Sequence, residues 1–411
     1  MSAHSLVVAS LVLSAASVGE VVAWCVLAAR ALREWRRSTF VRDALEGPGM
    51  PLPPVSVVIP AHNEERVAAA CARSVLASAY PSLELVFVLD RCTDGTRAAL
   101  EPLAAADPRL VLVENGDCPA DWAGKCNAAR VGASRARGEL LLFADADTRF
   151  DPLLLRAAVR LLRGRRLDML SLWSSPTQEL WFERIVQPVA AIMMLKLFPI
   201  RRIDGELRRR AFANGQFMLF ERGPYERFGG HAAVKDDLLE DLAFARGMRR
   251  GGYAQDSAVA DGMLEVSMYD TWRSFRDGWK RIFIESCVRN PERLRAQAVQ
   301  LGAFAVVLPL GRTASGALAL WALARPDATL DAGALALAVA ALTVSAGAWA
   351  LRSAVLAGVY RAGGFPAWSA LFFGVGAAAI VRVLLAGARD LVRRVPVRWG
   401  GREYLLEPSK A

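Results

Sequence analysis

Asp145 and Asp147 lie one residue apart at the end of the apolar run Leu140–Ala144. In an extended chain alternate side chains point the same way, so the pair offers hard oxygen ligands on one side. Mg²⁺ or Mn²⁺ takes such a pair and fills its shell with phosphate and water. Any exposed turn can hold Asp-x-Asp, so the neighbouring motifs decide. Val57–Ile59 runs into Pro60, Asn63 and Glu64, and Val86–Leu89 runs into Asp90. Lys125, in Gly124-Lys125-Cys126-Asn127, could meet a phosphate as a point charge or stand as a solvated helix-start residue; no Walker loop surrounds it. Downstream come Asn214-Gly215-Gln216, Gly229-Gly230-His231 and Glu240-Asp241, with a competing acidic pair at Asp236-Asp237. A solvated helix start, where acids favour the dipole, would also explain these acids. His231 could touch diphosphate or metal, or could close the Gly229-Gly230 turn.

These residues need a scaffold that gathers strand ends. From Val55 the texture alternates: strands at Val55–Ile59, Leu83–Leu89, Leu110–Val113 and Leu140–Ala144, with helices at Arg66–Ser78, Thr96–Ala105 and Ala123–Ala136 between them. This rhythm predicts an α/β domain, a mostly parallel sheet with helices on both faces, whose ligand crevice lies at the carboxyl ends of the strands. The six cysteines show no C-x-x-C spacing, so neither a disulfide framework nor a thiolate zinc site is expected. With three histidines in no nucleophile pattern, a Ser-His-Asp hydrolase is unexpected too.

The composition adds a membrane. Apolar residues make up 54% of the 411, and the balance of 51 Lys+Arg over 41 Asp+Glu suits anionic headgroups or phosphate-bearing substrates. The predominantly apolar run 6–32 exceeds the roughly 20 residues that cross a bilayer. The arginines after it predict that the following segment is cytoplasmic. Residues 33–54 read as a linker, 55–265 as the catalytic domain, 266–295 as an interfacial amphipathic helix, 296–388 as C-terminal membrane segments and 389–411 as a basic cytoplasmic tail. Val189–Ile200 also suits an interface, or a core helix. Three complete crossings after residue 295 would carry the basic tail outside, against the positive-inside rule; Pro309 could break the first into a re-entrant hairpin.

In this order the motifs resemble the family 2 glycosyltransferases, which have a nucleotide-diphospho-sugar fold of the GT-A type and transfer sugar with inversion. The likeness covers residues 55 to about 255, and is nearest to membrane-anchored enzymes that glycosylate lipids: the carotenoid, hopanoid-associated and ceramide glucosyltransferase-like members. The tail Trp399-Gly400-Gly401-Arg402-Glu403-Tyr404 resembles the ending of the carotenoid and hopanoid type. The resemblance implies donor binding by Pro60, Asn63, Glu64, Asp90, Lys125 and Asp145. It also implies a divalent cation (Mg²⁺ or Mn²⁺) on Asp145 and Asp147, Asp241 as base, and acceptor contacts from Asn214, Gln216, Glu240 and Trp279. It implies a nucleotide-diphospho-sugar donor, a lipid-like acceptor and no nucleic-acid partner, at the cytoplasmic face of a prokaryotic inner membrane. Arg91 stands where many relatives have a second acid. The Q-x-x-R-W motif of processive relatives is missing, which argues against a polymerising synthase. A transporter subunit carrying a sugar-nucleotide-binding domain is the reading from another class, motivated by Arg312 and Arg382 inside apolar stretches.

Overall fold

The computed structural model describes residues 38–46, 49–198, 211–324 and 332–409, with scattered positions before residue 38. The expected span 6–32 lies largely outside the described residues. Within it, Trp24 is buried, with its ring 4.8 Å from that of Phe304 and 5.5 Å from that of Phe373.

The expected alternation forms. β1 (Val55–Ala61), α1 (Ala68–Leu76), β2 (Leu83–Asp90), α2 (Thr96–Ala106), β3 (Leu110–Asn115), α3 (Gly124–Arg135) and β4 (Leu140–Phe143) follow in chain order. The first four strands pair in parallel as β3-β2-β1-β4. β1 is almost wholly buried, since helices cover both faces, and its residues are correspondingly apolar. α3 reaches the sheet at Gly132, where a Cβ would stand 2.3 Å from Val58 Cγ1, so only a glycine permits this approach.

Beyond β4 the chain reverses. β5 (Thr148–Phe150), α4 (Leu154–Gly164), β6 (Met169–Trp173), β7 (Ser175–Pro176), α5 (Trp181–Ile185) and α6 (Gln187–Leu197) precede β8 (Met218–Glu221). β8 inserts antiparallel between β4 and β6. α7 (Arg222–Phe228), α8 (Glu240–Arg250), β9 (Gln255–Val259) and β10 (Leu264–Val266) complete the domain, β9 closing the seven-stranded sheet beside β6. The fold is therefore mixed α/β with a mostly parallel sheet, as expected. Part of the stretch read as a linker folds onto the domain: Val41 is fully buried, Phe40 bridges to Val259, and Arg160 donates to the Leu45 carbonyl.

α9 (Trp272–Ser286) turns Phe275, Trp279 and Phe283 inward, into a core shared with α6 and the C-terminal helices. α10 (Pro291–Gly302) continues through a π-helical turn, Ala303–Val307, into α11 (Leu308–Ala324), followed by α12 (Ala332–Ala362), α13 (Phe373–Val392) and a hairpin of β11 (Val397–Trp399) and β12 (Arg402–Tyr404). Among the described residues, three helical stretches are long and apolar enough to cross a membrane: Pro291–Trp321, Ala332–Ala362 and Ala367–Val392. The break considered at Pro309 does not form. Proline has no N–H to offer the carbonyl four residues back. That carbonyl, on Ala305, accepts from Arg352 Nη2 at 3.4 Å, which helps the helix run on.

Candidate active site

The carboxyl ends of β1, β2 and β4, the start of α3, the 213–216 turn and the start of α8 converge on a cleft of about 710 Å³. The residues that the resemblance assigns to donor, metal, base or acceptor contacts line it: Pro60, Asn63, Glu64, Asp90, Lys125, Asp145, Asp147, Asn214, Gln216, Glu240, Asp241 and Trp279. Asp236, Asp237 and His231 do not line it.

Lys125 is the hub. Its Nζ lies 2.6 Å from Asp145 Oδ1 and 2.6 Å from Glu240 Oε1, tying the Asp-x-Asp strand end to the first turn of α8. This is a bridge between carboxylates, where the sequence suggested a phosphate contact. Burial opposes the Glu240 anion, yet the Lys125 ion pair wins and holds the carboxyl below its ordinary range. Asp241 meets the opposite balance. Burial and the neighbouring Glu240 charge push it up to about 7, against Lys125 and the N–H groups of Gly215 and Leu242. The Gly215 N–H donates to its Oδ2 at 2.8 Å and the Leu242 N–H to its Oδ1 at 2.7 Å. Two adjacent carboxyls pushed apart in this way divide the work: Glu240 stays charged, and Asp241 can take and release a proton near neutrality.

Asn214 and Gln216 reach the cleft wall but bond chiefly to the scaffold. Asn214 Nδ2 donates to the Leu172 carbonyl at 3.1 Å and to Gln216 Oε1 at 3.0 Å, and Ser174 Oγ donates to the same Gln216 oxygen. Together they fix the turn that presents the Gly215 N–H. Trp279 Nε1 donates to Gln187 Oε1 at 3.0 Å, leaving its ring plane as a wall.

At the other end, Asp90 Oδ1 accepts from Asn115 Nδ2 at 2.7 Å, and Arg91 folds back so that Nη2 meets Asp90 Oδ2 at 2.5 Å. Asn63 (φ +57°) and Arg91 (φ +51°) both adopt the left-handed region, each just past a strand end in the cleft. Such strain, about 1–3 kcal/mol per residue, persists where the surroundings fix it. Asn63 is held by the Thr93 N–H donating to its Oδ1 at 2.8 Å.

The Asp-x-Asp pair fits a cation by its own chemistry. Asp147 Oδ1 is buried without a hydrogen-bond partner, and burial, Asp145 and Glu64 push its proton affinity well up. Glu64 rises to about 7 through burial and the charges of Asp145, Asp94 and Asp270. Among the described residues no closed set of three or more such ligands forms. Mg²⁺ and Mn²⁺ need no closed set when substrate phosphates complete the shell.

Sequence reasoning missed Arg281 and Trp399, which also line the cleft, with Arg281 Cζ 4.5 Å from the Trp399 ring centroid. Arg281 lay hidden in a helix whose basic-aromatic spacing pointed to a headgroup surface. His231 is buried instead in the sheet's other core: its Nδ1 is 2.8 Å from Tyr225 Oη, and Phe143 and Phe244 meet its ring edge-on.

Residues 56–229 match the family model described as glycosyl transferase family 2. Over that stretch, less than half of the chain, the protein is similar to the family 2 glycosyltransferases. A stretch of 93 residues, 23% of the chain, is 26% identical to glycosyltransferase GlyA of Streptococcus pneumoniae serotype 4 and covers 13% of that protein's length. Among solved structures, the mannosyltransferase PcManGT from Pyrobaculum calidifontis, described in complex with GDP-Man and Mn²⁺, aligns with TM-score 0.44 and 20% identity over 84% of this chain and 97% of that one. Staphylococcus aureus TarS 1-349, described with UDP-GlcNAc, aligns with TM-score 0.38 and 13% identity over 86% and 96%.

Proposed function

We propose that the protein is an inverting, non-processive glycosyltransferase that moves a sugar from a nucleotide-diphospho-sugar to a lipid-like hydroxyl or carboxyl acceptor at the cytoplasmic membrane face. The observation that carries this is the opposed pair Glu240 and Asp241 in one cleft with the Asp-x-Asp acids. Asp241 accepts the acceptor proton as its oxygen attacks the anomeric carbon, while the Gly215 N–H keeps the carboxylate oriented. Lys125 holds strand and helix in register, so that base and Asp-x-Asp keep a fixed separation. Asp145 and Asp147 would hold the divalent cation, which when bound neutralises charge on the departing diphosphate. Asp90, Asn63, Glu64 and Pro60 line the donor end. A lipid-like acceptor is supported by the opposite end, walled by Ala191, Met194, Phe212, Leu239 and Ile282 beside the apolar helices.

The test uses membranes containing the full chain and radiolabelled UDP- and GDP-hexoses. Wild-type membranes should move label into the lipid extract, and Asp147→Asn should abolish this without changing membrane insertion. Chelator should silence the wild type until Mn²⁺ or Mg²⁺ returns. Full transfer by the Asp147→Asn protein would overturn the assignment.

A further inference from the structure

The C-terminal hairpin is not a free tail. Its two-residue turn, Gly400-Gly401, has φ +54° and +73°, the doubly left-handed geometry that a tight hairpin requires. Cross-strand partners share a face: Arg398 and Glu403 pair at 2.6 Å on the exposed side, so Trp399 with Arg402 and Val397 with Tyr404 turn inward. Val397 and Leu406 anchor the hairpin in the core of the C-terminal helices.

From that anchor the hairpin spans the cleft mouth. Arg402 Nη1 donates to the carbonyls of Pro119 and Trp122, both at 3.0 Å, and its Nη2 donates to that of Cys118. The Gly124 N–H, at the start of α3 beside Lys125, points at Tyr404 Oη at 3.5 Å. Gly401 lies against His62, where a Cβ would stand 2.9 Å from Nε2, and His62 Nδ1 in turn donates to the Asp90 carbonyl at 2.7 Å. On the opposite lip Trp399 stacks on Arg281, whose Nη1 donates to the Leu238 carbonyl at 2.9 Å.

We propose that this hairpin is a built part of the donor site. Arg402 is a positioning residue for the Cys118–Gly124 loop and Trp399 for Arg281, so a nucleotide diphosphate binds only to a cleft the hairpin has drawn together. The planar guanidinium spreads its three carbonyl bonds over two rigidly held nitrogens, whereas a lysine would bring its donors to a single nitrogen. The inference rests on the proposed function's placing of a nucleotide-diphospho-sugar in this cleft.

The experiment is calorimetric titration of the full chain in detergent with UDP and with GDP, each with Mn²⁺. For whichever nucleotide the wild type binds, Arg402→Gln and Arg402→Lys should both weaken affinity by roughly tenfold or more, the scale of lost charge-assisted hydrogen bonds. Glu403→Gln, on the exposed side, should leave it unchanged. In the unmodified protein, hydrogen exchange at 118–124 and 397–404 should slow together on nucleotide addition, a readout independent of whether a variant folds. Wild-type affinity in folded Arg402→Gln, or hairpin exchange indifferent to bound nucleotide, would overturn this inference and leave the cleft reading standing. A wild-type chain that binds neither nucleotide would overturn both.

Discussion

Asp241 differs from Glu240 by one methylene, and their environments rather than their chemistry assign their roles. Glu240 is paired to Lys125 at 2.6 Å; Asp241 accepts from N–H groups beside a neighbouring anion, whose effect with burial outweighs the pull of Lys125. A base must be unprotonated, and the Asp241 proton affinity is raised to about 7. The rate constant kcat/KM should therefore fall about tenfold per pH unit below that point and level above it. Removing the Glu240 charge removes one cause of the shift, so Glu240→Gln should move this limb to lower pH, whereas Asp237→Asn, outside the cleft, should not. Asp241→Asn keeps shape but not basicity and should lower kcat by roughly 10²–10⁴ with nucleotide affinity little changed. Near-normal turnover in that variant would move the base elsewhere. The acids themselves were legible, because each closes or follows a recognisable strand or helix start. That Lys125 bridges two of them was not, since a sequence gives no distance between residues 125 and 240.

At the scale of elements, what could be read and what could not divides by length and period. β1 through β4 each have four or more mostly apolar residues and turn or helix signals on both sides, so their boundaries were visible. β7, β10, β11 and β12 have two or three residues and exist only because partners are brought to them. The reversal at β8 has no local signature either, since an antiparallel central strand is as apolar as a parallel one. One tight contact between elements is also invisible in sequence: Gly132 of α3 against Val58 and Val88. Gly132→Ala should destabilise the domain by about 1–3 kcal/mol through overpacking. Gly164→Ala, in a helix end with open space around it, should be neutral or slightly stabilising. Thermal unfolding of the two variants beside the wild type checks this, and equal melting temperatures would mean that the sheet yields at Val58.

For the whole molecule, the number of apolar helices that cross decides on which side the C-terminal hairpin lies. Hydropathy rates all three stretches alike, because a helix docked on a protein surface and one spanning lipid can carry the same residues. Their contacts separate them. α11 and α12 lie against each other, Gly316 beside Ser345, and Gln178 of the domain donates to the Gly364 carbonyl just past the end of α12. The expectation from these contacts is a chain that goes out along α11 and returns along α12. α13 instead runs along the domain's own helices: Gly376 sits against Ile185 and Val189, Gly387 against Ile284 and Lys280, and Asp390 pairs with Lys280 at 2.9 Å. Two crossings would return the hairpin to the side of the cleft, as its contacts with Cys118–Trp122 require, and would keep Arg393 and Arg394 on the side where the positive-inside rule puts them. In a background with the native cysteines replaced, an impermeant maleimide applied to intact cells should label Thr329→Cys, between α11 and α12. It should spare Ala232→Cys on the domain and Glu407→Cys beyond the hairpin, and permeabilised cells should label all three. Labelling of Glu407→Cys but not Ala232→Cys in intact cells would require α13 to cross as well, and would separate the tail from the cleft.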